Sequence, residues 1–142
     1  MTRDHAVKIL QALFRSQNVD SPGLNEKNLG GAAIGDLQIY FQYQPDDGTL
    51  KCSALIYRFR EAPRPGVLEG FKREEALGTT GRGGGVVDYQ PENNGLYLTR
   101  SYLEPVNPTQ FMNDIVELMA ASRLWGGEVL ERVSAQVFNS EE

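Results

Sequence analysis

Apolar residues recur at helical spacing at Ala6, Ile9, Leu10, Leu13 and Phe14, which predicts an amphipathic helix over Asp4–Arg15. Asp4 in its first turn and Arg15 in its last both suit the helix dipole. Ser21, Pro22 and Gly23 stop it and open a loop. The period then changes. Leu29, Ala32, Ala33 and Ile34 form a weak first strand, closed by Gly35 and Asp36. Leu37, Ile39, Phe41 and Tyr43 alternate with Gln38, Tyr40, Gln42 and Gln44, a clean period of two. Pro45 to Gly48 supplies the residues of a tight turn, and Leu50–Phe59 follows as the antiparallel partner. Strict alternation divides that strand into Cys52, Ala54 and Ile56 on one face and Leu55, Tyr57 and Phe59 on the other.

Pro63 and Pro65 break the chain before a short helix over Val67–Leu77, where Gly70 costs about 1 kcal/mol relative to alanine. Val86–Tyr89 and Leu96–Leu103 are two strands joined across Asn94 and Gly95, a strong hairpin signal. Asn107 as N-cap, Pro108 at the first helical position and Gln110 at a capping-box spacing start a long helix. Phe111, Ile115, Leu118 and Met119 line its inner face, and Leu124 and Trp125 extend the stripe. Gly126 and Gly127 together cost about 2 kcal/mol there, which predicts a kink or stop before Val129, Leu130, Val133 and Val137 resume the spacing. The polar end, Asn139–Glu142, is expected to fray. The order is therefore α-βββ-α-ββ-α: an α+β fold, a five-strand antiparallel sheet with helices packed on it, in a single domain over residues 1–142.

Composition narrows what such a domain does. A net charge of -5 in 142 residues and a pI near 4.9 argue against a nucleic-acid partner and against adsorption to anionic lipid. No apolar run approaches the roughly 20 residues that span a bilayer. The first five residues lack the apolar stretch of a secretory signal, so the cytoplasm is the expected compartment. Cys52 is the single cysteine and His5 the single histidine, too few for a disulfide or a zinc site. Cys52 is expected in the core, and His5 on the solvated side of the first helix. No catalytic residue, cofactor site or metal site is assigned. The stretch Gly78–Gly85, with Arg82, resembles an anion cradle but lacks the Lys-Ser/Thr of a P-loop, and a strand rather than a helix follows it. A small-molecule or nucleotide-binding domain using that loop is the alternative reading, beside a regulatory or structural subunit. Aromatic residues on strands point elsewhere. A five-strand sheet covered on one face leaves Tyr40, Leu55 or Tyr57, and Tyr97 on an open face suited to protein binding.

Two stretches carry a family resemblance: Gly35 to Ile39 through Asp47–Leu50 to Ile56, and Leu96–Arg100 through Pro108 and Phe111 to Trp125. With them the chain resembles the type III secretion chaperone-like fold, the family of the Tir chaperone and the related YbjN-like proteins. The resemblance implies a non-enzymatic, cytoplasmic homodimer that holds a client polypeptide. It implies client contacts at Leu55, Tyr57 and Phe59 with Ile9 and Leu13 of the first helix. It implies dimer contacts at Val67, Leu68 and Phe71 and at Leu96 and Leu98. Capture of an extended segment would combine main-chain pairing at a sheet edge with apolar pockets.

Overall fold

A computed structural model of the chain describes residues 1–78 and 85–141, with side chains described to residue 137. Helix α1 (Arg3–Ser16) is followed by strands β1 (Leu29–Ile34), β2 (Leu37–Gln44) and β3 (Thr49–Arg58). Helix α2 (Val67–Ala76) leads to β4 (Val86–Gln90) and β5 (Gly95–Tyr102), and then α3 (Pro108–Leu124), a π turn (Trp125–Val129) and α4 (Leu130–Glu141) complete the chain. The five strands pair antiparallel in the order β1-β2-β3-β5-β4. The α+β architecture expected from the sequence is therefore present. The nucleotide reading rested on Arg82 in the Gly78–Gly85 stretch, and residues 79–84 lie outside the described residues, as do the side chains of the Asn139–Glu142 tail.

The local signals explain most boundaries. Thr2 caps α1 by accepting from the His5 amide, and Asn107 caps α3 by accepting from the amides of Thr109 and Gln110. Gln110 does not complete a capping box: its Nε2 donates to Asp114 Oδ1 at 2.8 Å. Asp114 is 6% exposed and also accepts from the Tyr102 hydroxyl at 3.0 Å. It pairs as well with Arg100 at 3.3 Å, so this buried carboxylate is matched at both oxygens. Burial, followed by the bond to Asp114, raises the Tyr102 phenol well above the ordinary range. His5 is less solvated than the helical wheel implies. It is half-buried, with its Nε2 3.2 Å from the Val106 carbonyl.

All the helices lie on one side of the sheet. α3 rests on β3 and β5, α1 lies beside α3, and α2 lies against α4 and β4. Ile39, Phe41, Leu50, Cys52, Leu96 and Leu98 face the helices, and Phe14 meets Phe41 edge-on at 5.8 Å. Cys52 is fully buried and removed from water, which pushes its thiol pKa far up. A thiol reagent such as Ellman's is expected to leave Cys52 unmodified in the native chain and to react once denaturant opens the fold. Fast native labelling would show that β3 breathes locally.

Two features depart from the sequence pattern. Gly126 and Gly127 neither stop nor sharply break the helix. They widen it into a π turn. Trp125, Val129, Val133 and Val137 consequently keep one buried line across the junction. The turn bears on the second feature, a bulge in β3. Leu55 pairs with Tyr97 and Tyr57 pairs with Leu96, so Ile56 is an extra residue. The Ser122 hydroxyl of α3 donates to the Leu55 carbonyl at 3.1 Å. Gly126 comes so near the Ile56 carbonyl that an added Cβ would lie 2.8 Å from its oxygen. The bulge inverts the alternation beyond it. Leu55 faces away from the helices, whereas Tyr57 and Phe59 turn to the helix side and Arg58 to the open side.

Sheet edges are covered along part of their length. On β1 the amide and carbonyl of Leu29 are taken by the Asn25 side chain and amide, and the Gly31 carbonyl accepts from the Ser21 hydroxyl. On β4 the Val87 amide donates to Glu75 Oε1 at 2.6 Å and Lys72 Nζ donates to the Val87 carbonyl at 2.6 Å. Two side chains of α2 thus occupy the positions a sixth strand would use. Such cover protects an edge against pairing with another chain.

Candidate protein-binding surfaces

The end of β3 builds the first surface. Beyond the bulge, Tyr57 and Phe59 stand on the same side with ring centroids 5.0 Å apart, and Phe59 meets Tyr89 of β4 at 6.4 Å. The chain then turns through residues 60–64 to α2, and α4 closes the opposite wall. The result is a groove of about 480 Å³ lined by Tyr57, Phe59, Val67, Leu130, Ser134 and Val137, with Arg60, Glu61 and Arg64 along the loop. Tyr57 is 43% exposed, a large ring left in water beside apolar walls. Leu130, Ser134 and Val137 reach the groove because they share one face of α4 at i, i+4 and i+7.

The second surface is the open face of the sheet. A trough of about 530 Å³ runs from Leu29 to Asn93 across it, with Tyr40 and Tyr97 at its centre. Their rings meet edge-on at 5.8 Å. Glycines make the room: an added Cβ on Gly95 would lie 2.6 Å from the Tyr97 ring, and Gly31 lies beneath Tyr40. Ser53 and Thr99 hydroxyls bond across β3 and β5 at 3.1 Å. Lys51 pairs with Asp88 at 3.5 Å. Arg58 Nη2 donates to the Tyr97 hydroxyl at 3.3 Å. That bond, with a smaller contribution from the nearby Tyr40, raises the guanidinium pKa above its ordinary value.

The residues singled out in the sequence do not form one patch. Leu55 lies on the open face opposite Tyr97, while Tyr57 and Phe59 lie in the groove. Ile9 and Leu13 are each 1% exposed and belong to the core, so they offer a client no surface as the chain stands. Phe71, Leu96 and Leu98 are each 0% exposed. β5 lies between β3 and β4, and both of its ladders are used within the chain. Val67 is buried at the groove wall, and Leu68 is half-buried on α2. Sequence reasoning missed Leu130, Ser134 and Val137 as groove residues because their spacing suits a core equally well. It missed Arg58 because nothing in a period of two announces a bulge. Among the described residues no three His, Cys, Asp or Glu side chains gather to hold a metal ion, and no helix is long and apolar enough to cross a membrane.

No protein-family model and no curated protein matches the sequence. Solved structures do. A chain of the ExsC–ExsE complex aligns with a TM-score of 0.66 at 10% identity, over 85% of this chain and 92% of that one. A chain of the HopA1–SchA chaperone–effector complex aligns with a TM-score of 0.64 at 12% identity, over 89% of this chain and 98% of that one. The shared property at such identities is the fold, and the chain has the type III secretion chaperone-like fold.

Proposed function

We propose that the chain is a non-enzymatic, chaperone-like protein that works in the cytoplasm as a homodimer and binds a segment of a client polypeptide in the groove at the end of β3. The observation that carries this reading is the groove itself: an exposed tyrosine and a half-buried phenylalanine beside apolar walls from α2 and α4. The fold supports it, since a neighbour of like architecture was solved as a chaperone–effector complex. The covered sections of β1 and β4 favour side-chain docking over main-chain pairing at an edge. A client leucine or aromatic seated between Tyr57 and Val137 would contribute about 1.5–3 kcal/mol from apolar area removed from water. A few such anchors give micromolar binding once the entropy of association is subtracted.

The test uses a partner recovered with the wild-type chain and titrated by calorimetry. Tyr57→Ala is expected to weaken its binding about tenfold, which is about 1.4 kcal/mol, and to cost the fold about 1 kcal/mol, the loss of the edge contact with Phe59, while the chain stays folded. Unchanged affinity in Tyr57→Ala would remove the groove from the reading. Light scattering on the free chain tests the homodimer: a mass near twice 15.8 kDa supports it and a mass near 15.8 kDa removes it.

A further inference from the structure

The open face of the sheet is short of charge for a chain with 19 acidic and 14 basic residues. Alternation places Gln38, Tyr40, Gln42, Ser53, Tyr97 and Thr99 on it. Lys51 and Asp88 neutralise each other, and Gln90 Nε2 donates to Asp88 at 2.6 Å. Glu92 lines the same trough from the β4–β5 turn, whose Asn94 carbonyl accepts from the Phe59 amide beside Arg58, without forming an ion pair with Arg58. Arg58 is the exception on this face. The bulge delivers it there, the Tyr97 hydroxyl accepts from it, and among the described residues no carboxylate lies within ion-pair distance of it. Elsewhere Arg100 is matched by Asp114, Arg123 by Asp36 and Arg132 by Glu74, whereas Arg3 is held by the Asn28 side chain and the Asn25 carbonyl. A phenol oxygen orients the exposed guanidinium without cancelling its charge. A planar cation held in this way in a trough suits a carboxylate.

The composition of the face also has a meaning. Interface centres are enriched in tyrosine and arginine and depleted in lysine, glutamate and aspartate, and tyrosine and arginine dominate binding hot spots. The trough spans the sheet. Four inter-strand spacings of about 4.8 Å make roughly 19 Å, the length of about six extended residues. One unmatched cation is no track for a polyanion, and the net charge of -5 disfavours nucleic acid further.

We infer that the open face is a second polypeptide-binding surface, distinct from the groove, whose occupant is an extended segment presenting one aspartate or glutamate to Arg58 with uncharged residues on either side. The uncharged flanks follow from Lys51 and Asp88 being mutually satisfied. The site does not depend on the groove reading, because Tyr57 and Phe59 lie on the other side of the sheet.

The experiment titrates the ¹⁵N-labelled full chain with two acetylated, amidated hexapeptides. One carries a single glutamate among leucine, serine and alanine, and its twin carries glutamine instead. The Nε–Hε signal of Arg58 and the ring signals of Tyr97 report binding. The glutamate peptide is expected to shift both saturably, with an affinity at least about fivefold above its twin, because the carboxylate adds its charge to a bond that a glutamine carbonyl can also accept. Arg58→Gln is expected to bring the two peptides to equal affinity with the fold unchanged. Tyr57→Ala is expected to leave both titrations as they were, even if the groove reading fails. An Arg58 signal that stays still to millimolar peptide overturns the inference, as does equal binding of the twins to the wild type. Inorganic phosphate shifting Arg58 as strongly as the glutamate peptide overturns it in favour of a simple anion site. Movement of the Arg58 signal on dilution alone overturns it in favour of a second copy of this chain on the face.

Discussion

Phe71→Ala is expected to destabilise the chain by about 3–5 kcal/mol, the cost of emptying a fully buried aromatic site. Phe71 is 0% exposed and stacks on Trp125, with centroids 5.8 Å apart and planes 21° apart. Its loss would also loosen α2, because that helix is otherwise held by a close approach of Gly70 to Val133 and by the Glu74–Arg132 pair. Glu75 and Lys72 would then leave the Val87 main chain, so the variant should also aggregate on warming more readily than the wild type. Urea denaturation measures the first effect and light scattering during a thermal ramp the second. The result separates two roles for one residue. If Phe71 instead served a contact between two copies, Phe71→Ala would give a folded monomer of nearly unchanged intrinsic stability.

A second large effect is expected where the sequence pairs two glycines of opposite character. Gly126→Ala should destabilise by about 2 kcal/mol, whereas Gly127→Ala should stabilise by up to about 1 kcal/mol. Helix propensity favours alanine by about 1 kcal/mol at either position. At Gly127 nothing stands within 4 Å of an added Cβ, so that gain is free to appear. At Gly126 the Cβ would lie 2.8 Å from the Ile56 carbonyl oxygen, a backbone atom that cannot swing aside. Overpacking of this kind costs about 1–3 kcal/mol, and a Cβ pressed against a backbone carbonyl belongs at the upper end. The neighbouring Ser122 hydroxyl bonds to Leu55 and ties the bulge to α3, so relief would have to disturb that bond or the buried Trp125. Denaturant midpoints of the two variants, measured side by side, decide it. Equal shifts would show that the π turn does not rest on the bulge.

Much of the fold is legible in the amino-acid sequence. Clean alternation over Leu37–Gln44, helical spacing over Ala6–Phe14, and the Asn107-Pro108 start of α3 are local signals, and each element lies where its signal placed it within a residue or two. Asn94 takes a positive φ of 54° in the expected hairpin turn. These succeed because period, caps and turn residues act over a few positions of the chain itself. Gln110 is the small failure of that kind. Its spacing suits a capping box, yet a buried carboxylate one turn on competes for its amide.

The candidate sites were legible only in part. Tyr40, Tyr97, Tyr57 and Phe59 are recognisable as aromatic residues on strands, but the face each occupies depends on one extra residue at Ile56. A residue slip reverses every side chain beyond it, so strict alternation put Leu55 with Tyr57 and left Arg58 unnoticed. The residues that pack on the slip lie about 70 positions away, Ser122 of α3 and Gly126 of the π turn. The same holds for apolar residues taken as contact surfaces. Ile9, Leu13, Leu96 and Leu98 have the composition of an interface and the burial of a core, and a linear pattern records hydrophobicity without recording what covers it.

The amino-acid sequence by itself determined the kind, order and approximate ends of the elements and the class of fold they make, because periodicity and capping are properties of neighbouring residues. Only the tertiary structure decided which aromatic rings remain in water, which face of the sheet receives Arg58 and which stretches of sheet edge are covered. Those depend on contacts between residues distant in the chain: α3 and the π turn packing on the bulge in β3, α2 occupying the edge of β4, and α4 completing a groove begun by Tyr57.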